Sequence, residues 1–99
     1  MARVTWSPQA REDLREIVSF IGRDSKAIAR GVGEGIARST RRLRDFPESG
    51  RGVSEFNDES LREVIVQNYR VIYQVGDSGV NVLTVIHGAR ALRDVPQTQ

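Results

Sequence analysis

The chain has 99 residues, no cysteine, and 15 basic against 13 acidic side chains, for a net charge of +2. This length supports one domain, residues 1–99, whose core needs no staple, and the missing cysteine excludes disulfides and thiolate metal sites. No apolar run approaches the roughly 20 residues of a membrane span, and the opening Met-Ala-Arg-Val-Thr-Trp-Ser-Pro lacks a signal-peptide apolar region, so a cytoplasmic protein off the membrane is expected.

The small net charge hides an uneven spread. Residues 1–44 carry ten basic and five acidic groups, whereas residues 45–69 carry two and six. A basic half of this kind is either a solvated helix surface or an attraction for nucleic acid or an acidic partner segment. Every basic residue except Lys26 is arginine, which binds phosphate and carboxylate but does not shuttle protons near neutrality. Lysine acid–base chemistry is therefore nearly excluded.

Arg3-Val4-Thr5-Trp6 alternates polar and apolar and predicts a short first strand. Ser7-Pro8 then marks a helix start, with Ser7 as N-cap and Pro8 at the first helical position. Glu12 and Asp13 sit near the positive end of that helix, and Ala10, Leu14, Ile17, Val18 and Ile21 recur at helical spacing up to a stop at Gly22. Asp24 or Ser25 caps a second helix that runs to about Asp45, with Ile28, Val32, Ile36 and Leu43 as its apolar stripe. Beside that stripe Ala27, Gly31, Gly35 and Ser39 fall four apart, a row of small residues that admits another backbone. The first helix in an antiparallel hairpin, or the helix of a partner, would fill it. These glycines lack the Gly-Lys-Ser/Thr ending and the preceding strand of a phosphate loop.

Phe46-Pro47 ends the second helix, residues 48–52 form a turn, and residues 53–60 make a polar, acidic connection. Three runs rich in Val, Ile and Tyr follow, Leu61–Val66, Tyr69–Val75 and a third from Val80 through His87, separated only by Gln67-Asn68 and Gly76-Asp77-Ser78-Gly79. Breaks this short join antiparallel neighbours. The expected architecture is α+β in the order β-α-α-β-β-β, with a helical hairpin packed on one face of a mainly antiparallel sheet. In the second of these runs Tyr69, Val71, Tyr73 and Val75 should face the helices, leaving the Arg70 face the more open one. The polar residues placed for chemistry around this sheet are Arg62, Glu63, Arg70, His87 and Arg90.

Several stretches, in order, resemble the RelE/ParE superfamily of toxins from type II toxin–antitoxin pairs. They are Val-Thr-Trp-Ser-Pro-Gln-Ala-Arg-Glu-Asp-Leu at the start, Phe-Pro-Glu-Ser-Gly-Arg at the turn, Leu61-Arg62-Glu63 before the second strand, Tyr69-Arg70-Val71-Ile72-Tyr73, and His87-Gly88-Ala89-Arg90 at the sheet's end. The resemblance implies a growth-inhibiting toxin neutralised by a cognate antitoxin. That antitoxin would be acidic where it lies on the helical hairpin, and could extend a sheet edge. RelE-like members cut messenger RNA in the ribosome; ParE-like members poison DNA gyrase.

The two targets make different demands. Cleavage by a 2′-hydroxyl needs a base, an acid and cations on the phosphate. By resemblance Arg70 and Arg90 match phosphate-contacting arginines of RelE-like toxins, and Glu63 with His87 could supply base and acid. The chain departs from the RelE pattern in having Arg62 and Glu63 where strand lysines are expected, and no tyrosine after Tyr73. Its Leu-Arg-Glu-Val-Ile-Val and His-Gly-Ala-Arg wording is closer to ParE. The favoured expectation is thus a ParE-like gyrase inhibitor with no catalytic residues, no metal and no cofactor. The alternatives are a ribosome-dependent messenger endonuclease using Glu63, Arg70, His87 and Arg90, and a non-toxic nucleic-acid-binding module.

Overall fold

The computed structural model describes residues 1–88. Arg90 and the rest of the tail lie outside the described residues. The elements are β1 (Val4–Trp6), α1 (Pro8–Gly22), α2 (Lys26–Arg42), β2 (Arg51–Gly52), β3 (Leu61–Val66), β4 (Tyr69–Gly76) and β5 (Gly79–His87). Ser7 caps α1 by accepting from the Ala10 N–H at 3.0 Å, and Ser25 caps α2 by accepting from Ile28 at 3.2 Å. α1 ends at Gly22 as expected, whereas α2 ends at Arg42, short of the expected Asp45. Past Gly22 the chain turns in the ordinary right-handed region at Arg23, and α2 gives way at Leu43 to a short turn through Asp45.

The sheet has five strands in the order β1-β5-β4-β3-β2. β1 runs parallel to β5, and every other pairing is antiparallel. β2 is a correction to the sequence reading, which gave residues 48–52 to a turn; Arg51 and Gly52 pair with Glu63 and Arg62. A two-residue edge strand carries no alternating pattern from which to infer it.

Tyr69, Val71, Tyr73 and Val75 do face the helices. Val71 and Tyr73 lie in a core with Ala10 of α1, Val32 and Ile36 of α2, Leu43, Val66 of β3, and Val80, Val82 and Val85 of β5. The contact between the helices does not use the expected row of small residues. Gly22 approaches Ala29, and Gly33 approaches Val18, whereas Gly35 packs toward Val66 of β3 and Gly31 is open. Ile28, expected in the apolar stripe, is 61% exposed. Val32, Ile36 and Leu43 of that stripe are buried, but i, i+4 spacing drifts about 40° per step, which carries Ile28, two steps from Ile36 and in the first turn of α2, round to the surface.

The opposite face of the sheet is not open. Val53 folds under it and joins Leu61, Ile72 and Ile86 in a second, smaller core with Leu83 at its margin. Residues 53–60 therefore lie as a strap across that face. Leu83 itself is a bulge: Ile72 pairs with Thr84 but Tyr73 pairs with Val82, so one β5 residue has no opposite number.

Tyr73 links the strap's approach to the core. Its hydroxyl accepts from the Gly50 N–H at 2.9 Å. A Cβ on residue 50 would meet that oxygen at 2.5 Å and the Glu63 carbonyl at 2.6 Å, so only glycine fits. Burial raises the Tyr73 pKa above its ordinary value near 10. The unfolded chain then releases the phenolic proton at lower pH than the native one, so stability is full below pH ~10 and falls as pH climbs through the raised native value. Urea unfolding followed from neutral to alkaline pH should show this fall. Tyr73→Phe should remove its tyrosine component, at a cost of about 1–2 kcal/mol for the orphaned Gly50 N–H.

Candidate functional site

The polar residues singled out from the sequence separate into two places. Glu63 and Arg70 come together on the strap side of the sheet, because Glu63 pairs with Ile72, two residues along β4 from Arg70. Both are buried, with 3% and 7% of their surface exposed. A lone buried charge is costly, and here each is matched. Arg70 Nε donates to Glu63 Oε1 at 2.7 Å, while its two terminal nitrogens donate to the Glu55 carboxylate at 2.7 and 2.8 Å. The second Glu63 oxygen accepts from Arg51 Nε at 2.7 Å. The result is a chain of alternating charge, Arg51–Glu63–Arg70–Glu55, that pins both β2 and the strap to the sheet. Hydrogen bonding to Glu55 first, and to Glu63 after it, raises the Arg70 pKa above its already high ordinary value despite the cost of burial.

The Arg70 face was expected to be accessible; it is closed by Glu55 and the strap. A guanidinium whose fork grips two carboxylates is poorly placed to take a substrate phosphate as well. Glu55 and Arg51 were not among the sequence candidates. Glu55 sits in an acidic, patternless connection, and Arg51 in a stretch read as a turn, so neither had a signal that would place it beside Arg70.

Arg62 points to the helix side and donates to the carbonyls of Gly50 and Glu48 at 3.0 and 3.2 Å, fixing the chain just before β2. His87 also lies on the helix side. It pairs with Tyr69 across the β4–β5 ladder, and the two rings meet edge to face with centroids 5.7 Å apart. Directly paired residues share a face, so His87 and Glu63 stand on opposite sides of the sheet. The Leu83 bulge produces this separation. Strict alternation from Val80 and Val82 would have turned residue 87 toward the Arg70 side; the extra residue reverses it.

Among the described residues, no cluster of three His, Asp or Glu side chains could hold a metal ion, and no helix is long and apolar enough to cross a membrane. Two open grooves flank the C-terminal end of α2. One, of about 350 Å³, is lined by Ser39, Arg42, Arg51 and Ile65; the other, of about 380 Å³, by Trp6, Arg3, Arg41 and Arg44.

A family model described as the ParE toxin of the type II toxin–antitoxin system parDE matches residues 4–92. Among solved structures, a chain from the chromosomal ParDE toxin–antitoxin system of P. aeruginosa superposes with a TM-score of 0.72 at 16% identity, covering 88% of this chain and 96% of that one. A chain from the RelBE2 toxin–antitoxin complex of Mycobacterium tuberculosis gives 0.60 at 19% identity, covering 87% and 96%. At such identities these two likenesses speak for the fold. No curated protein matches the chain.

Proposed function

The chain belongs to the ParE toxin family of type II toxin–antitoxin systems, and from that footing we propose that it halts growth by poisoning DNA gyrase in the cytoplasm until a cognate antitoxin neutralises it. The observation that carries the choice of target is the placement of Glu63 and His87 on opposite faces of the sheet. An acid and a base acting on one phosphodiester must both reach it within hydrogen-bonding distance or through one water. Those two residues do not converge, and Arg70 is gripped by Glu63 and Glu55. Inhibition by binding needs no such convergence.

A partner protein is supported by apolar surface on the helical hairpin. Phe20 is 66% exposed and Ile28 61%, both near the tip where α1 passes into α2. Side chains of this size, exposed at one end of the hairpin, suit the apolar face of an antitoxin helix.

The purified toxin should inhibit gyrase supercoiling and accumulate cleaved DNA complexes, while leaving messenger intact on programmed ribosomes. His87→Ala should leave the gyrase effect within a few fold of the parent. Ribosomal cleavage that disappears in a folded His87→Ala protein, with gyrase unaffected, would transfer the reading to the messenger endonuclease.

A further inference from the structure

We propose that the C-terminal end of α2 is a platform for the phosphate backbone of duplex DNA, formed by Arg38, Arg41, Arg42 and Arg44 with Arg3 beside β1. All five side chains are exposed. Among the described residues none of them makes an ion pair, although Asp45 and Glu48 follow closely in the chain. The inference goes beyond inhibition of gyrase, and DNA binding is measured without gyrase present.

Geometry arranges these charges usefully. Consecutive helix positions diverge by about 100°, so Arg41 and Arg42 leave α2 on different sides. Arg41 lines the groove shared with Arg3 and Arg44, and Arg42 lines the groove on the β3 side. Arg38 stands about one turn earlier, about 6 Å along the axis from Arg42. The Ala2 N–H donates to the Arg44 carbonyl at 2.7 Å, which fixes the start of the chain, and so Arg3, against the end of α2. Favourable interaction with the helix dipole accounts for cations in the last turn, Arg41 and Arg42. It does not account for the convergence of Arg3 from another element.

The partner that fits is a regular polyanion. Guanidinium forks recognise phosphate through paired donors, and their charge releases counterions from a nucleic-acid backbone. Arginine also serves protein interfaces, and an acidic antitoxin segment would meet this surface through the same charge; the five exposed cations spread over two elements fit the evenly spaced charges of a duplex backbone. Buried hydroxyl Thr40 and the Trp6 ring line the Arg41 groove, giving polar and flat surfaces beside the cations rather than an apolar socket. Contacts of this kind position a duplex without reading its sequence.

The test is fluorescence anisotropy of the full-length toxin with a duplex DNA of about 20 bp across a salt series. With three or four phosphates engaged, raising salt from roughly 50 to 200 mM should weaken binding about 40- to 150-fold, independent of sequence. Arg41→Gln with Arg44→Gln should lower the log–log salt slope by about two and weaken low-salt binding at least about tenfold. Lys26→Gln with Arg30→Gln, which removes the same charge from the other end of α2, should change neither. Circular dichroism verifies that both variants fold; if the first pair does not, Arg38→Gln with Arg42→Gln takes its place. No binding at low salt, equal loss in the control pair, equal affinity for a polyglutamate peptide, or tighter binding to single-stranded RNA would each overturn the proposal.

Discussion

Replacing Arg70 with alanine should destabilise the protein by about 3–5 kcal/mol, the range found when one partner of a buried ion pair is removed. The physical loss is larger than one contact. Glu63 would remain almost fully buried with Arg51 as its one remaining cation, and Glu55 would lose the guanidinium that draws the strap against Ile72 and Ile86. Since small domains are stable by only about 5–15 kcal/mol, such a loss consumes much of the margin. Urea denaturation checks the magnitude, and a double cycle with Glu63→Gln separates the pair energy from the cost of the orphaned charge. A midpoint unchanged in Arg70→Ala would show that the strap holds without this network. The result also bears on growth assays: an Arg70→Ala toxin that no longer arrests cells would be explained by unfolding before any role in chemistry. His87→Ala, on the exposed end of β5, gives up the edge contact with Tyr69 and should cost about 0.5–1.5 kcal/mol, well below the Arg70 loss, so it is the cleaner probe.

The second large effect belongs to Asp13, which ties α1 to the exposed edge of β5. β1 covers β5 only as far as the pairing of Trp6 with Val82. Beyond it the start of the helix takes over the edge. Ser7 donates its N–H to the Val82 carbonyl at 2.8 Å and its hydroxyl to the Leu83 carbonyl at 2.8 Å. Asp13 then accepts from the Val85 N–H at 3.0 Å and from the buried Thr84 hydroxyl, while its other oxygen accepts from Gln9 at 2.7 Å. Asp13 lies past the first turn, so its value is as this edge acceptor more than as a partner for the helix dipole. Asp13→Ala should cost about 2–4 kcal/mol, since hydrogen bonds to a charged acceptor contribute roughly 1.5–3 kcal/mol and the orphaned donors belong to the buried residues Thr84 and Val85. Asp13→Asn should fall between parent and alanine, because an amide keeps one acceptor oxygen. Hydrogen exchange at Val85 gives a local readout. It should accelerate in Asp13→Ala, and protection unchanged there would mean the edge is satisfied in another way.

Much of this arrangement was legible in the sequence because it is local. Ser7 and Ser25 cap their helices by reaching three residues along the chain, and breaks as short as Gln67-Asn68 and Gly76-Asp77-Ser78-Gly79 can only close hairpins. The apolar set of β4 alternates with a period of two, so its helix-facing side followed from the order of residues alone. The ordered motifs likewise pointed to the family that the match over residues 4–92 establishes.

What only the tertiary structure decided depends on pairings between distant segments. β2 exists because β3 offers Arg62 and Glu63 as partners; Arg51 and Gly52 by themselves have no strand signal. Arg70 is enclosed because a connection without periodicity brings Glu55 and Val53 across the sheet, where ion pairing and a small apolar core hold them. His87 is parted from Glu63 by one unpaired residue, Leu83. A bulge arises when two strands must match their hydrogen bonds and bury both faces together, so it is a property of the ladder. No single strand's order of residues contains it, and it alone reverses the side of the sheet on which the histidine stands.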